Sequence, residues 1–189
     1  MTLVTRKRIR LLLATGAGTL AMAAAGAPAA SAAPQACKSA SATPAVASAH
    51  SLKFATLCLL NNERSARHMR PLRLNRRLSR ASRRHANDMV RRHYFSHDTP
   101  SGTDFVQRIQ RTGYLKSAGT WLVGENLAWG SVSRSTPASI MDAWMHSPGH
   151  RANILNRRFR EIGIGVTFGA PEGADRPSAT YATDFGTRR

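Results

Sequence analysis

The sequence predicts an α+β fold in which helices lead, strands come late, and an antiparallel sheet is covered by helices. Two observations carry the prediction. From about Asn75 to His93, apolar and basic residues separate onto opposite arcs at the 100° per residue of a helix. Much later, Glu161-Ile162-Gly163-Ile164-Gly165-Val166-Thr167-Phe168 alternates apolar and small residues, and Thr180-Tyr181-Ala182-Thr183-Asp184-Phe185 follows as a second strand.

Taken in order, Met1 to Ala32 reads as a secretory signal peptide. It has a basic start at Arg6, Lys7, Arg8 and Arg10, an apolar Leu/Ala stretch, and Ala30-Ser31-Ala32 as a small-residue cleavage site. The apolar run is interrupted by glycines and is mostly alanine, too weak for a membrane anchor, and nothing downstream is long and apolar enough to cross a bilayer. Residues 33–50 are low in complexity and read as a flexible leader. What remains, residues 51–189, fits one domain with a real core. The two cysteines, Cys37 and Cys58, are too few for a structural zinc site; in an exported chain their even count favours a disulfide that tethers the leader.

A first helix is expected over about 52–69, ended by Pro71. The second runs from Asn75 to His93, with Leu78, Ala81, His85, Ala86 and Met89 facing inward and Arg76, Arg77, Arg80, Arg83, Arg84 and Arg91 outward. SHDTPSG is a polar turn. Asp104 to Arg111 is a short helix stopped at Gly113, and TWLVGENLAWG is a strand. Ser135-Thr136-Pro137 caps a helix that runs to about His146.

Next comes WMHSPGHRANIL, in which His146 and His150 stand four apart, the spacing of a zinc-binding helix. Pro148 breaks that geometry. The chain is expected to stop at His146 and restart with Ser147 as N-cap, Pro148 at the first helical position and His150 at the third. There the helix dipole keeps the His150 ring neutral, fit to ligate a metal or accept a proton, with any partner supplied from elsewhere in the chain.

Charge bounds the partners. The chain carries 28 Lys and Arg against 10 Asp and Glu. Removing the four basic residues of the signal leaves 24 against 10, a formal +14 that disfavours basic partners. The arginine face, with Arg77, Arg80 and Arg84 as its binding set, is either a solvated surface or a site for a polyanion such as a wall polymer, anionic lipid or extracellular nucleic acid.

Three stretches then stand together: YFSH at 94–97, GENLAWG at 124–130, and WMHSPGHRANIL followed by EIGIGV. With LNNERSARHMRPLRLN upstream and YATDFG downstream, this ordered set resembles the CAP superfamily of cysteine-rich secretory, antigen 5 and pathogenesis-related proteins, in its bacterial branch. The resemblance covers roughly Leu52 to Gly186. It implies a three-layer α/β/α sandwich with a central antiparallel sheet and a surface cleft. It also implies that the cleft holds His97, Glu125 and His150. Where plant and animal members usually add a second acid, this sequence has Ser147, which weakens a two-acid mechanism.

Fold does not fix function, so the site must argue it. His97 and His150 are the expected ligands of Zn²⁺ or another divalent cation, with Glu125 beside them as a carboxylate that an apolar strand should not bury unpaired. Three readings stand at this level. The first is a secreted protein that binds a ligand or partner at the cell envelope through this cleft, with Glu125 and Ser147 among the binding residues. The second is a metal-assisted hydrolase in which Glu125 and His150 are catalytic. The third is a polyanion-binding adhesin working through the arginine face. His85, on the apolar arc, is expected in the core.

Overall fold

In the computed structural model, residues 35–173 and 175–189 are described. The signal segment expected at Met1 to Ala32 lies outside them. In chain order the elements are α1 (Ala49–Ser65), β1 (Arg73–Leu74), α2 (Arg76–Arg91), α3 (Phe105–Arg111), β2 (Trp121–Ser131), a 3-10 turn (Val132–Ser135), α4 (Pro137–His146), α5 (Pro148–Ile154), β3 (Glu161–Phe168) and β4 (Ser178–Arg188).

The sheet has the order β1-β3-β4-β2. β4 pairs antiparallel with both β2 and β3, while the two residues of β1 lie parallel to β3. α2 and α3 cover one face, and α1, α4 and α5 cover the other. The fold is the expected three-layer α/β/α sandwich. β1 and the 3-10 turn escaped the sequence reading because two extended residues carry no period.

The alternation in β3 has a separate reason on each face. Ile162, Ile164 and Val166 point into the core formed with Leu52, Leu60, Ile140 and Trp144. Gly163 and Gly165 point at α2, whose backbone comes so close that a Cβ at Gly163 would overlap Leu78, and one at Gly165 would overlap Arg83. Glycine is what lets α2 lie directly on the strand.

α1 begins at Ala49, inside the expected leader, because Ser48 Oγ accepts the Ser51 N–H at 3.1 Å. It ends at Ser65, well before Pro71. His68 takes a left-handed φ of 52°, and the Met69 N–H folds back to the Arg64 carbonyl at 3.0 Å, a helix-closing arrangement that needs no proline. The Arg64 side chain is fully buried and donates to the carbonyls of Arg70 at 2.9 Å, Ile154 at 2.7 Å, Asn156 at 3.1 Å and Phe159 at 3.4 Å. One guanidinium thereby fixes the end of α5 against α1. Cys37 and Cys58 are bridged, with Cα atoms 5.6 Å apart. From Gln35 onward the leader runs as turns against the domain: the Gln35 N–H meets Asn62 Oδ1 at 3.1 Å, and Ala40 accepts the Ala138 N–H at 2.9 Å.

Candidate functional site

β2 is the edge strand on one side of the sheet, and its GEN triplet builds the site one residue at a time. Gly124 leaves room for Asn153 Oδ1 of α5, which would lie only 2.9 Å from a Cβ there. Asn153 uses that space to donate to the Glu125 carbonyl at 3.2 Å and to Asn126 Oδ1 at 2.9 Å. Asn126 donates in turn to the His150 carbonyl at 3.0 Å. Two amides therefore pin the start of α5, and His150 with it, onto the edge strand.

Between them, Glu125 projects to the other face, beside α3. Its side chain is 1% exposed. Oε1 meets His97 Nδ1 at 2.8 Å, and Oε2 accepts from Arg108 Nη2 at 2.6 Å. Arg108 also donates to the His97 carbonyl at 2.6 Å and the Thr103 carbonyl at 3.1 Å, so it holds both the acid and the turn that carries the histidine. The carboxylate expected to need a partner has two, one charged and buried with it.

His97 and His150 are driven apart in basicity. Hydrogen bonding to Glu125 raises the His97 pKa above its ordinary value against the cost of partial burial. Burial, and then the charge of His97, lower that of His150. Neutral His150 was expected from the helix dipole; desolvation and a neighbouring imidazolium give the same sign. One ring is thus suited to hold a proton while the other is suited to accept one.

Behind Glu125 lies a group the sequence reading missed. Asp184 of β4 is the direct cross-strand partner of Glu125 and is 1% exposed. Its Oδ2 accepts from Ser82 Oγ of α2 at 2.8 Å, and its Oδ1 has no protein partner. Burial, then the negative charge of Glu125, raise its pKa well above the ordinary 3.8. Burial and the neighbouring Glu125 carboxylate therefore favour the neutral form of Asp184. The signal that singled out Glu125, a carboxylate in an apolar strand, was equally present in YATDF. Arg108 carried no signal of its own, being one more arginine in a short helix.

The remaining candidates disperse. Ser147 stands where expected, between α4 and α5, yet its side chain caps neither helix. Its backbone does that work, with its N–H donating to Trp144 at 3.2 Å and its carbonyl accepting from Arg151 at 2.9 Å. His146 is exposed on α4 beside Asp142. His85 is buried as expected, with Nε2 2.9 Å from the Ser96 carbonyl. The arginine face of α2 is exposed along its length but divides into two flanks. Arg76, Arg80 and Arg83 look toward α1, and Arg84 lies toward α3 beside Arg111, while Arg77 donates to the Gly113 carbonyl.

As to metal, no group of three or more His, Cys, Asp or Glu side chains converges among the described residues. His97 and His150 remain as a two-imidazole donor set. His97 is oriented from behind by Glu125 in the way carboxylates commonly orient metal-binding histidines. Two imidazoles are too few for a closed structural site, and with water completing the shell they could serve a divalent ion.

A fold of this kind, with two histidines and a buried glutamate at one edge of its sheet, defines an α/β/α sandwich domain. The sequence profile described as "CAP: Cysteine-rich secretory protein family" matches residues 57–181. The chain belongs to the CAP family. It is 38% identical over 108 residues to the uncharacterized protein YkwD of Bacillus subtilis (strain 168), a match spanning 57% of this chain and 39% of YkwD. It is 32% identical over 82 residues to the uncharacterized membrane protein YlbC of the same organism, spanning 43% of this chain and 22% of YlbC. The chain therefore covers well under half of either relative. Among solved structures, an extracellular protein containing an SCP domain from Bacillus anthracis str. Ames superposes with a TM-score of 0.55 at 26% identity, covering 74% of this chain and 43% of that one. An outer surface protein of Borrelia burgdorferi gives a TM-score of 0.56 at 22% identity, covering 69% of this chain and 87% of that one, a likeness of fold.

Proposed function

We propose that the chain is a secreted CAP-domain protein that binds a ligand or partner at the cell envelope through the His97–His150 cleft, which a divalent cation such as Zn²⁺ can enter. The carrying observation is the Arg108–Glu125–His97 relay. It commits Nδ1 of His97 to Glu125 and leaves Nε2 as the ring's remaining donor or acceptor. His150, lowered in basicity, is the second electron-pair donor. A bound divalent ion would supply Lewis acidity and an acidified water. Both Glu125 oxygens are engaged by protein groups, so its part is to orient and charge His97. A disulfide-bridged domain without a helix, among the described residues, long and apolar enough to cross a membrane accords with a location outside the cytoplasm.

Calorimetric titration of metal-stripped protein with zinc at pH 7.5 and pH 5 tests the cleft. Binding should be modest at the higher pH and largely lost at the lower, because the proton favoured on His97 competes with the metal. His97→Ala and His150→Ala should each remove most of the heat. Glu125→Gln should retain binding but lower the affinity by about 10-fold to 100-fold, as loss of an orienting partner does. Unaltered zinc binding in the double histidine variant would refute the reading.

A further inference from the structure

At the other side of the sheet, β1 pairs only with Glu161 and Ile162, because the chain turns at Asn75 to start α2. From Gly163 to Phe168, β3 has no neighbouring strand on that side among the described residues. The antiparallel register fixes which backbone groups are left over. The Gly169 N–H donates to the Ser178 carbonyl at 2.8 Å, so odd-numbered residues of β3 face β4. Even-numbered residues face outward, and the carbonyl of Ile162 does so, accepting from the Asn75 N–H at 2.8 Å. The N–H and C=O groups of Ile164 and Val166 therefore point away from the sheet.

They point into a groove. Ile164, Gly165 and Val166 form the floor of a cleft of about 500 Å³ between α1 and α2. Its walls carry Lys53 from α1 and Arg76, Arg80 and Arg83 from α2, and no acidic side chain lines it. None of these four cations has a salt bridge among the described residues. Lys53 is held partly out of water near Arg83, and both effects lower its pKa. Two cations pressed together across a groove are stabilised by an anion placed between them.

We propose that this groove is a docking site for an extended acidic peptide segment, which adds a strand to the open edge of β3 and sets its carboxylates against Arg76, Arg80 and Arg83. The open edge supplies backbone hydrogen bonds, which give such complexes their affinity, and the cationic walls supply selection of side chains. An added strand would place alternate residues over the α2 face and the α1 face. A sequence alternating glutamate with valine thus presents its acids to the arginines. The backbone component favours a peptide over a polyphosphate or polysaccharide, which has no N–H row to offer.

The helix provides its own control, since the 100° step puts Arg80 and Arg83 on the groove flank and Arg77 and Arg84 on the other. The probe is a fluorescent peptide of about nine residues alternating glutamate and valine, followed by anisotropy at low salt on the mature chain. Arg80→Gln/Arg83→Gln should weaken binding about 10-fold or more, whereas Arg77→Gln/Arg84→Gln, removing the same charge, should change it less than about 3-fold. N-methylating alternate backbone amides of the peptide, with its charge kept, should also cost about 10-fold. Hydrogen exchange at the Ile164 and Val166 amides should slow on binding, while exchange at Gly163 and Gly165 should not change. Equal loss in the two double variants would reduce the effect to net charge and overturn the proposal. So would undiminished binding of the N-methylated peptide, or preference for inorganic polyphosphate, which would make the groove an anionic-polymer site. No binding at all would mean that the cations only shield an open edge.

Discussion

Replacing Asp184 by Asn should stabilise the protein, and the gain should grow with pH. The amide is isosteric, can accept from Ser82 as Oδ2 now does, and has no titrating proton. The sign follows from burial. Asp184 binds its proton more tightly folded than unfolded, so the folded state takes up a proton in the window that opens at the ordinary 3.8. Stability is highest below that window and falls as pH rises through it toward the raised folded value. While the unfolded carboxyl is ionised and the folded one is not, the parent loses about 1.4 kcal/mol per pH unit relative to the variant. Urea denaturation of both proteins in half-unit steps from about pH 4.5 upward measures this difference directly, with other titrating groups common to both. A pH-independent difference would show that Asp184 ionises alike folded and unfolded. Destabilisation of the variant at every pH would show that Ser82 and Arg108 hold it as a carboxylate, and either result refutes the raised pKa of Asp184.

Gly165→Ala should cost about 1–3 kcal/mol, because the new methyl overlaps the α2 backbone at Arg83; Gly149→Ala, in α5 with open space around it, should cost nothing measurable by the same thermal melts. Arg64→Leu should cost about 3–5 kcal/mol by urea denaturation, since it leaves buried carbonyls at Ile154 and Phe159 without their donor; a loss under about 1 kcal/mol would show that water replaces the guanidinium.

What the sequence made legible were the features written in local period or local caps. The arginine helix was readable because its buried and exposed arcs repeat at the helical step, and its start was placed within one residue of Arg76, where Asn75 caps it by accepting from Arg77 and Leu78. The break at Ser147 was readable because Pro148 has only one place in a helix. His97 and Glu125 were readable as a pair only through family resemblance, and the structure places them 2.8 Å apart. Arg108 and Asp184 were not legible as partners of Glu125. One reaches it from another element and the other across a strand register, and no local pattern encodes either. The cap of Ser147 misled for a related reason: a residue shared by two helices satisfies both with its backbone, so its hydroxyl is not committed.

The two surfaces lie at opposite edges of one sheet and share no side chain, yet α2 is common to both. Its inner face carries Ser82 against Asp184, behind Glu125 and hence behind His97; its outer flank carries Arg80 and Arg83 over the open edge of β3. The spacing of both is set by the close approach that Gly163 and Gly165 permit. Surface charge changes on the groove flank should therefore leave the cleft histidines as they are, because they remove no contact that holds α2 to the sheet. A methyl at Gly165 must lift the helix, and with it both the groove wall and the Ser82–Asp184 contact. A Gly165→Ala variant that lost the proposed peptide binding, while the proposed zinc binding at His97 and His150 and the titration of Asp184 stayed unchanged, would show that the helix pivots locally. Coupled loss of all three would show that it moves as a rigid bar, the outcome expected where the helix backbone rests directly on Gly163 and Gly165 and is packed closely on either side.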